Sequence, residues 1–281
     1  MRERLPSSLP RVSRSERIPD PLPPALIPDL IRHKPILLCL DYDGTLSEIA
    51  DDPAQARPLG AIPQILASLA KRRGRITVAV VSGREIAELQ RLLGLSDGLE
   101  FVGVHGLEMM RPGGRREVAP GTRECMPDVA KIRAWIAGNV PKRAGFVIED
   151  KGLAIALHYR KADAAVARKV HRAFERFIRL ETPTLKAGHG KMVIEAMPKL
   201  AGKGDAVLRL AGRIGERFFP VYFGDDLSDE DAFAVLRGRG ITVLVGEGHP
   251  SAARYRVDNP AGVAAVLDSI ANALGEAPAA G

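Results

Sequence analysis

Two aspartates stand directly after an apolar run near the start of the chain. The run covers residues 36–40, and Asp41 and Asp43 follow it with one residue between them. If the run is a β-strand, the alternation of side chains places both carboxylates on one side of the backbone. Gly44 permits a sharp turn that leaves backbone N–H groups free to bind an anion. The carboxyl end of a strand is where an open α/β sheet usually binds its ligands. A plain polar turn, with Thr45 as the cap of the next segment, would have the same sequence.

A hydroxyl and a lysine occupy comparable positions further along the chain. Ser82 follows the strand expected at 76–81, where it could bind a phosphate oxygen with helix N-terminal N–H groups or simply cap the next helix. Lys203 opens an amphipathic helix, a place where its charge opposes the helix dipole. A residue that contradicts its local preference invites a functional explanation, and a positive charge on a phosphate is the natural one. Lys199 competes for the same role.

An acidic segment follows the strand expected at 220–223. Five acids lie within the seven residues from Asp225 to Asp231. Two carboxylates about 4 Å apart repel by roughly 4 kcal/mol at an effective dielectric constant of about 20. The side chains therefore either spread into water and cap a helix or gather around a cation. The four carboxylates that follow the two strands would suit a hard divalent ion, and the few ligands and a phosphate substrate favour Mg²⁺ over Ca²⁺. They belong to Asp41, Asp43, Asp225 and Asp229.

Apolar extended runs alternate with helical patterns in two parts of the chain, which indicates an α/β fold with a mainly parallel sheet. The first part predicts strands at 36–40, 76–81 and 101–104 and helices at 62–71 and 85–93. The second predicts strands at 220–223 and 241–245 and helices near Ala206 and Pro260. The middle predicts a hairpin at Gly113-Gly114, helices at 129–136 and 163–180, and strands at 146–149, 153–158 and 191–195. We expect a flexible extension at 1–29, a core at 30–110 and 198–281, and an α/β cap inserted at 111–197.

The composition limits the classes of function. The chain has 281 residues, 46% of them hydrophobic, which is enough for a large core. The net charge of +7 permits attraction to anions, but no aromatic-rich basic stripe appears, so a phosphorylated small substrate explains the charge without nucleic acid. Two cysteines are too few for a disulfide framework. No apolar run approaches the roughly 20 residues that span a bilayer, and residues 1–28 lack the centre of a secretory signal. We expect a soluble, cytoplasmic protein.

Taken in order, these segments resemble the pattern of haloacid-dehalogenase-like (HAD) phosphatases, which have a Rossmann-like core. The resemblance implies that Asp41 is the nucleophile that forms an aspartyl-phosphate and that Asp43 is the general acid and then the base. It implies Mg²⁺ bound by Asp41, the backbone carbonyl of Asp43 and Asp225, with Asp229 orienting them. It also implies that Lys203 is a catalytic residue that clamps the phosphate with Ser82. A carboxylate can attack a dianionic phosphoryl group only if a metal and a lysine screen the repulsion. The implied phosphate-binding residues are Ser82 and its motif neighbours Tyr42, Gly44, Thr45, Gly83 and Arg84.

Further segments resemble those of trehalose-6-phosphate phosphatases. They are Val104-His105-Gly106, Glu149-Asp150-Lys151-Gly152, His158-Tyr159-Arg160 and the stretch from Gly190 to Pro198. This resemblance extends from about Lys34 to Leu274 and implies a C2-type cap and the hydrolysis of trehalose 6-phosphate in trehalose biosynthesis. Charged hydrogen-bonding groups suit sugar hydroxyls. The implied sugar-binding residues are Glu149, Arg160, Lys191, Glu195 and His105.

Alternatives to this function stay open. A related enzyme could act on another sugar phosphate, such as sucrose phosphate or a glycosyl-phosphoglycerate, although the segment from Lys191 to Glu195 favours trehalose. A non-catalytic sensor needs no acid/base group, so the presence of both Asp41 and Asp43 argues against it. A nucleic-acid-binding module would show a steep salt dependence of its affinity for DNA. The charged cap residues could also be ordinary surface residues, and His105 a structural histidine.

Overall fold

The computed structural model describes residues 17–50, 53–72, 74–190 and 192–275, which form two β-sheets flanked by helices. The large sheet contains β1 (Asp20–Pro21), β2 (Ile36–Leu40), β3 (Ile76–Val81), β4 (Glu100–Gly103), β5 (Glu108–Met110), β6 (Arg116–Val118), β11 (Phe219–Gly224), β12 (Ile241–Val245) and β13 (Tyr255–Val257). The small sheet contains β7 (Val147–Asp150), β8 (Ile155–His158), β9 (Leu185–Gly190) and β10 (Val193–Pro198).

The helices divide between the two sheets. Those of the large sheet are α1 (Leu26–His33), α2 (Ile62–Ala70), α3 (Ile86–Leu93), α6 (Lys203–Ile214), α7 (Glu230–Val235) and α8 (Pro260–Gly275). Those of the small sheet are α4 (Thr122–Asn139) and α5 (Ala164–Glu181). Among the described helices, none combines the length and the apolar character needed to cross a membrane.

The strand order of the large sheet reverses direction at its centre. The order is β1-β13-β12-β11-β2-β3-β4-β5-β6, with parallel pairing from β1 to β4 and antiparallel pairing at β5 and β6. The chain leaves β2 towards β3 on one side, whereas β11 to β13 extend the sheet on the other side. The crevice at the carboxyl ends of the strands flanking such a reversal is the usual ligand position of an open α/β sheet. The prediction of a mainly parallel α/β fold is confirmed.

Both faces of the central strand β2 are buried, which explains its continuous apolar sequence. Ile36, Leu38 and Leu40 pack in the cluster that includes α1, α2, α3 and α8. Leu37 and Cys39 pack on the opposite face against α6 and α7. The next residue in phase with Cys39 is Asp41, so its carboxylate points to the side of the sheet where α6 begins.

Residues 122–198 form a unit of their own, which we call the inserted block. Its sheet is antiparallel with the order β7-β8-β10-β9. Helices α4 and α5 cover one face through a cluster that includes Ile132, Phe174, Leu157 and Ile194. Because side chains alternate along β10, Glu195 points to the opposite face of this sheet, the face that meets the core.

Two element boundaries differ from those predicted. Strand β6 falls within residues 111–197, the segment assigned to the cap, but it pairs with β5 and extends the large sheet. Ordered structure also begins inside the segment 1–29 that was assigned to a flexible extension, because β1 pairs with β13 and α1 buries Ile27 and Ile31. Pro28 lies in the first turn of α1, where its missing N–H costs no helical hydrogen bond. The part of the extension before residue 17 lies outside the described residues.

Candidate active site

Three carboxylates converge where β2 and β11 end. Asp41, Asp225 and Asp229 each place one carboxylate oxygen within 4.8 Å of those of the other two. Asp41 and Asp229 are buried and Asp225 is half-buried. Gly44 has a φ of +76°, and a Cβ at this position would overlap the Asp225 carboxylate. The turn after β2 therefore needs glycine so that the two strand ends can approach each other.

Lys203, the first residue of α6, holds two of these carboxylates. Its buried Nζ donates hydrogen bonds to Asp41 Oδ1 at 2.6 Å and to Asp229 Oδ1 at 2.8 Å. Burial alone would lower the pKa of Lys203, but the charges of Asp229 and Asp41 raise it above its ordinary value. The ammonium therefore stays charged between the two acids. Lys199 is exposed, so the structure brings Lys203 rather than Lys199 to the carboxylates.

Asp229 uses its oxygens for protein contacts. Its Oδ1 also accepts a hydrogen bond from the Tyr222 hydroxyl at 2.6 Å, and its Oδ2 accepts one from the backbone N–H of Asp226 at 3.1 Å. Asp229 thus orients Lys203, and Tyr222 orients Asp229. Sequence reasoning missed Tyr222, although a buried phenol that lies a few residues before an acidic segment needs a hydrogen-bond partner.

Asp225 supplies the best evidence that the cluster suits a cation. Among the described residues its buried Oδ1 has no hydrogen-bond partner. Burial, with the charge of Asp41, raises the pKa of Asp225 to about 9, and burial raises the pKa of Asp41 to about 7 although Lys203 lowers it. The acids cannot all ionise at neutral pH unless a further positive charge joins them. Their oxygens therefore fit a hard divalent ion held by Asp41 and Asp225.

The side chain of Asp43 lies apart from this cluster. Arg84 Nε and Nη2 donate to its two oxygens at 2.6 and 2.7 Å, and Arg84 Nη1 donates to Glu88 Oε1 at 2.5 Å. The carboxylate of Asp43 is not one of the three that converge. The structure therefore does not bring the Asp43 side chain to the predicted metal cluster, and Arg84, predicted to bind phosphate, here holds two carboxylates.

The other residues predicted to bind phosphate follow β2 and β3, and they differ in whether their side chains can still donate a hydrogen bond. The Thr45 Oγ1 is buried and has no hydrogen-bond partner among the described residues. The Ser82 Oγ is buried and accepts a hydrogen bond from the Arg84 N–H at 3.2 Å, so its own proton remains to be donated. The Tyr42 hydroxyl donates to the Ala56 carbonyl at 2.8 Å in the core, so only the backbone of Tyr42 faces the turn.

The inserted block reaches the core at the motif after β3. The Lys151 Nζ donates to Glu195 Oε1 and to the Gly83 carbonyl, both at 3.0 Å. The other oxygen of Glu195 lies 3.0 Å from His105 Nε2. A Cβ on Gly83 would lie 2.5 Å from the His105 ring, and His105 itself has a φ of +54°, which is strained for a residue with a side chain. His105 and Glu195, both predicted to bind sugar, are thus brought together.

Two further ionisable residues lie in the same region. Glu149 Oε2 lies 2.9 Å from His158 Nε2, and its other oxygen lies 3.9 Å from Lys151 Nζ. Burial would raise the pKa of Glu195, but the hydrogen bond to His105 and the charge of Lys151 lower it to about 2. The Glu195 carboxylate therefore stays ionised where the inserted block meets the core.

The remaining sugar-binding predictions have different outcomes. Arg160 is exposed in the turn after β8. Lys191 lies outside the described residues. Sequence reasoning missed Lys151, which lies within a motif quoted for its resemblance but was given no role. The sequence feature that could have indicated a role for it is its position directly after the acidic residues of β7, because a buried lysine needs carboxylates nearby as partners.

Residues 39–261 match the trehalose-phosphatase family model. A trehalose-phosphate phosphatase of Mycobacterium tuberculosis is 32% identical over an alignment of 279 residues that covers 94% of this chain and 68% of that protein. The C-terminal domain of the Candida albicans trehalose-6-phosphate phosphatase superposes with a TM-score of 0.79 at 25% identity, over 92% of this chain and 99% of that one. A Synechocystis sucrose-phosphatase shares the fold, with a TM-score of 0.54 at 20% identity, over 85% of this chain and 98% of that one. The chain therefore belongs to the trehalose-phosphatase family and is a phosphatase.

Proposed function

We propose that this protein hydrolyses trehalose 6-phosphate to trehalose and phosphate with Mg²⁺, through an aspartyl-phosphate on Asp41. The observation that carries the proposal is the convergence of Asp41, Asp225 and Lys203 at the reversal of the strand order, together with the contact between the inserted block and the motif after β3. The substrate is inferred from the trehalose-phosphatase family and from the related trehalose-6-phosphate phosphatases.

Asp41 is suited to be the nucleophile. One of its oxygens is held by Lys203 at 2.6 Å, which fixes the carboxylate and neutralises part of its charge. As the bond between Asp41 and phosphorus forms, the bond between phosphorus and the sugar oxygen breaks. Mg²⁺ bound by Asp41 and Asp225 would screen the phosphoryl oxygens from the attacking carboxylate. The hydroxyls of Ser82 and Thr45 then have protons to donate to those oxygens.

Asp43 is suited to move the proton. In the protonated form it gives a proton to the departing sugar oxygen, and as a carboxylate it then accepts one from the water that hydrolyses the aspartyl-phosphate. Its side chain is 41% exposed in its pair with Arg84, so it is reachable from the cleft. Arg84 keeps the carboxylate in one place until substrate replaces this contact.

The inserted block is suited to be the cap that grips the sugar. Glu195, Lys151 and Glu149 carry charged groups that can exchange their mutual hydrogen bonds for those of sugar hydroxyls. Lys151 and Glu195 already contact Gly83 and His105 of the core, so the cap and the phosphate motif after β3 are joined. Sugar bound here would order the cap over the phosphoryl group and exclude water from it.

The test of this function is phosphate release from a panel of substrates, with Mg²⁺ and with EDTA. The panel contains trehalose 6-phosphate, sucrose phosphate, a glycosyl-phosphoglycerate and a minimal aryl phosphate. Trehalose 6-phosphate is expected to have the highest kcat/KM, and EDTA is expected to abolish turnover until Mg²⁺ is restored. Ca²⁺ should substitute poorly because its coordination is larger and looser. A higher kcat/KM for sucrose phosphate would show that trehalose 6-phosphate is not the preferred substrate. Full activity in excess EDTA would show that the reaction needs no divalent metal ion.

Replacement of Glu195 by alanine tests the cap separately. The variant should lose roughly 10–100-fold in kcat/KM for trehalose 6-phosphate, since a charged hydrogen bond contributes about 1.5–3 kcal/mol. The aryl phosphate makes no contact with the cap and should be hydrolysed almost as before. Glu195→Gln, which keeps the hydrogen-bonding shape, checks that folding is intact, and Glu181→Ala removes an exposed carboxylate from the same block as a control. An equal loss on both substrates would mean that Glu195 supports the structure rather than recognises sugar.

A further inference from the structure

A cavity with a basic lining lies at the other end of α7 from the carboxylate cluster. Asp229 directly precedes α7, whereas Arg237 follows its last residue by two. The cavity has a volume of about 440 Å³. Its lining consists of three arginines, a threonine and small residues, and the larger side chains are those of Arg17, Arg237, Arg254 and Thr242.

The charge of this cavity is not balanced by its own residues, because none of those that line it is acidic. Arg17 is paired with Asp20 at 2.5 Å. Within the described part of the chain, Arg237 and Arg254 form no ion pair, and the guanidinium of Arg254 lies 5.1 Å from the centre of the Tyr255 ring. Two exposed guanidiniums with no carboxylate partner therefore border one cavity. Such groups recognise planar or tetrahedral oxyanions through paired hydrogen bonds.

The wall and the floor of the cavity are fixed by hydrogen bonds. Glu230, the first residue of α7, accepts hydrogen bonds from Ser251 Oγ at 2.5 Å and from the Ala252 N–H at 2.8 Å, which holds the wall formed by the loop before β13. Thr242 is buried, and its Oγ1 accepts a hydrogen bond from the Arg254 N–H at 2.9 Å. The hydroxyl proton of Thr242 remains available for an acceptor in the cavity. The cavity is therefore formed before any ligand arrives, which reduces the entropy lost on binding.

We propose that this cavity binds a phosphate dianion, either free or as the head group of a small monoester. Arg237 and Arg254 supply the charge and Thr242 supplies a neutral donor. The volume lies within the range of about 300–1,000 Å³ that is typical of small-molecule sites. A cavity of this size is larger than a phosphate ion and leaves room for an organic group. The site differs from the active site in position and donors, although its wall is hydrogen-bonded to Glu230, the residue that follows Asp229.

Direct binding of inorganic phosphate to the full chain with Mg²⁺ tests the proposal, measured by titration calorimetry. The wild-type protein should show two classes of site. In the double variant Arg237→Ala/Arg254→Ala the affinity of one class should fall at least about tenfold, because two charge-assisted contacts are lost. Turnover of substrate should stay unchanged, since both arginines lie away from the catalytic carboxylates. Methylphosphonate, which mimics a monoester and cannot be hydrolysed as one, shows whether the cavity accepts an organic substituent.

The matched control is Arg176→Ala/Arg179→Ala, which removes the same charge from the exposed surface of α5. It should retain both classes of site. The single variant Arg237→Ala, at an exposed position, repeats the test if the double variant unfolds. A single class of site in the wild-type protein would overturn the proposal, as would equal weakening in both double variants, because net charge alone would then explain the binding.

Discussion

Replacement of Asp41 by asparagine is expected to leave a folded protein that has lost nearly all turnover. The fall in kcat should be on the order of 10⁴-fold or more, as is typical when a covalent nucleophile is removed. An amide of the same shape can still accept a hydrogen bond from Lys203, but it cannot attack phosphorus as a carboxylate does. The rate of phosphate release at saturating substrate and Mg²⁺ measures the loss, and the denaturation midpoint confirms folding.

Two further variants make this result specific. Asp258→Asn changes a carboxylate that is 80% exposed and paired with Arg256, and it should behave as the wild-type protein. Asp43→Asn should slow both the cleavage of the ester and the breakdown of the aspartyl-phosphate, and the amount of labelled phosphate on the protein shows which of the two steps is slowed more. If Asp41→Asn released phosphate at a rate near that of the wild-type protein, Asp41 would not be the nucleophile.

The convergence of the Asp41 and Asp225 carboxylates could be predicted because it depends on backbone topology. Asp41 and Asp225 are far apart in sequence, but each follows an apolar strand, and parallel neighbouring strands place their carboxyl ends at one edge of a sheet. The sequence patterns of β2 and β11 were strong enough to locate those ends. The side on which Asp41 points follows equally from its phase with Leu37 and Cys39.

The partners of individual side chains could not be predicted, because they depend on how separate elements pack. The choice between Lys199 and Lys203 required the start of α6, since only its first residue is buried beside Asp41. The pair between Asp43 and Arg84 joins two strand ends through a long side chain whose direction no periodicity fixes. Lys151 is buried only because the inserted block packs against Gly83.

Elements with weak local signals were missed for a related reason. Strand β9 has the sequence Leu-Lys-Ala-Gly-His-Gly, which lacks the β-branched and aromatic residues of typical strands. It forms because all six of its residues pair with β10. Helix α4 begins seven residues before its predicted start, since Pro127 interrupts the pattern that would otherwise indicate a helix. In both cases tertiary pairing or packing supplies what the local sequence lacks.

Replacement of Lys203 by methionine should have the largest effect on stability. The variant leaves the carboxylates of Asp41 and Asp229 buried without their cation, and removal of one partner of a buried ion pair typically costs about 3–5 kcal/mol. The free energy of unfolding should fall by this amount in EDTA near neutral pH, as measured by urea denaturation. Mg²⁺ should restore part of it by supplying another positive charge. Turnover should also fall sharply, because Lys203 fixes the nucleophile.

The pH dependence of this loss distinguishes lost charge from lost packing. Without Lys203 the pKa of Asp41 in the folded protein rises further above the value of about 3.9 that an unfolded aspartate has. A raised carboxylate pKa favours the folded state below the unfolded value, and that advantage disappears as the pH rises through the folded value. The destabilisation should therefore change little below about pH 7, where Asp41 is protonated in both folded proteins, and should grow as the pH rises above about 7. Lys199→Met, at an exposed lysine four residues earlier, should change stability little. A loss independent of pH would mean that Lys203 contributes by packing rather than by its charge.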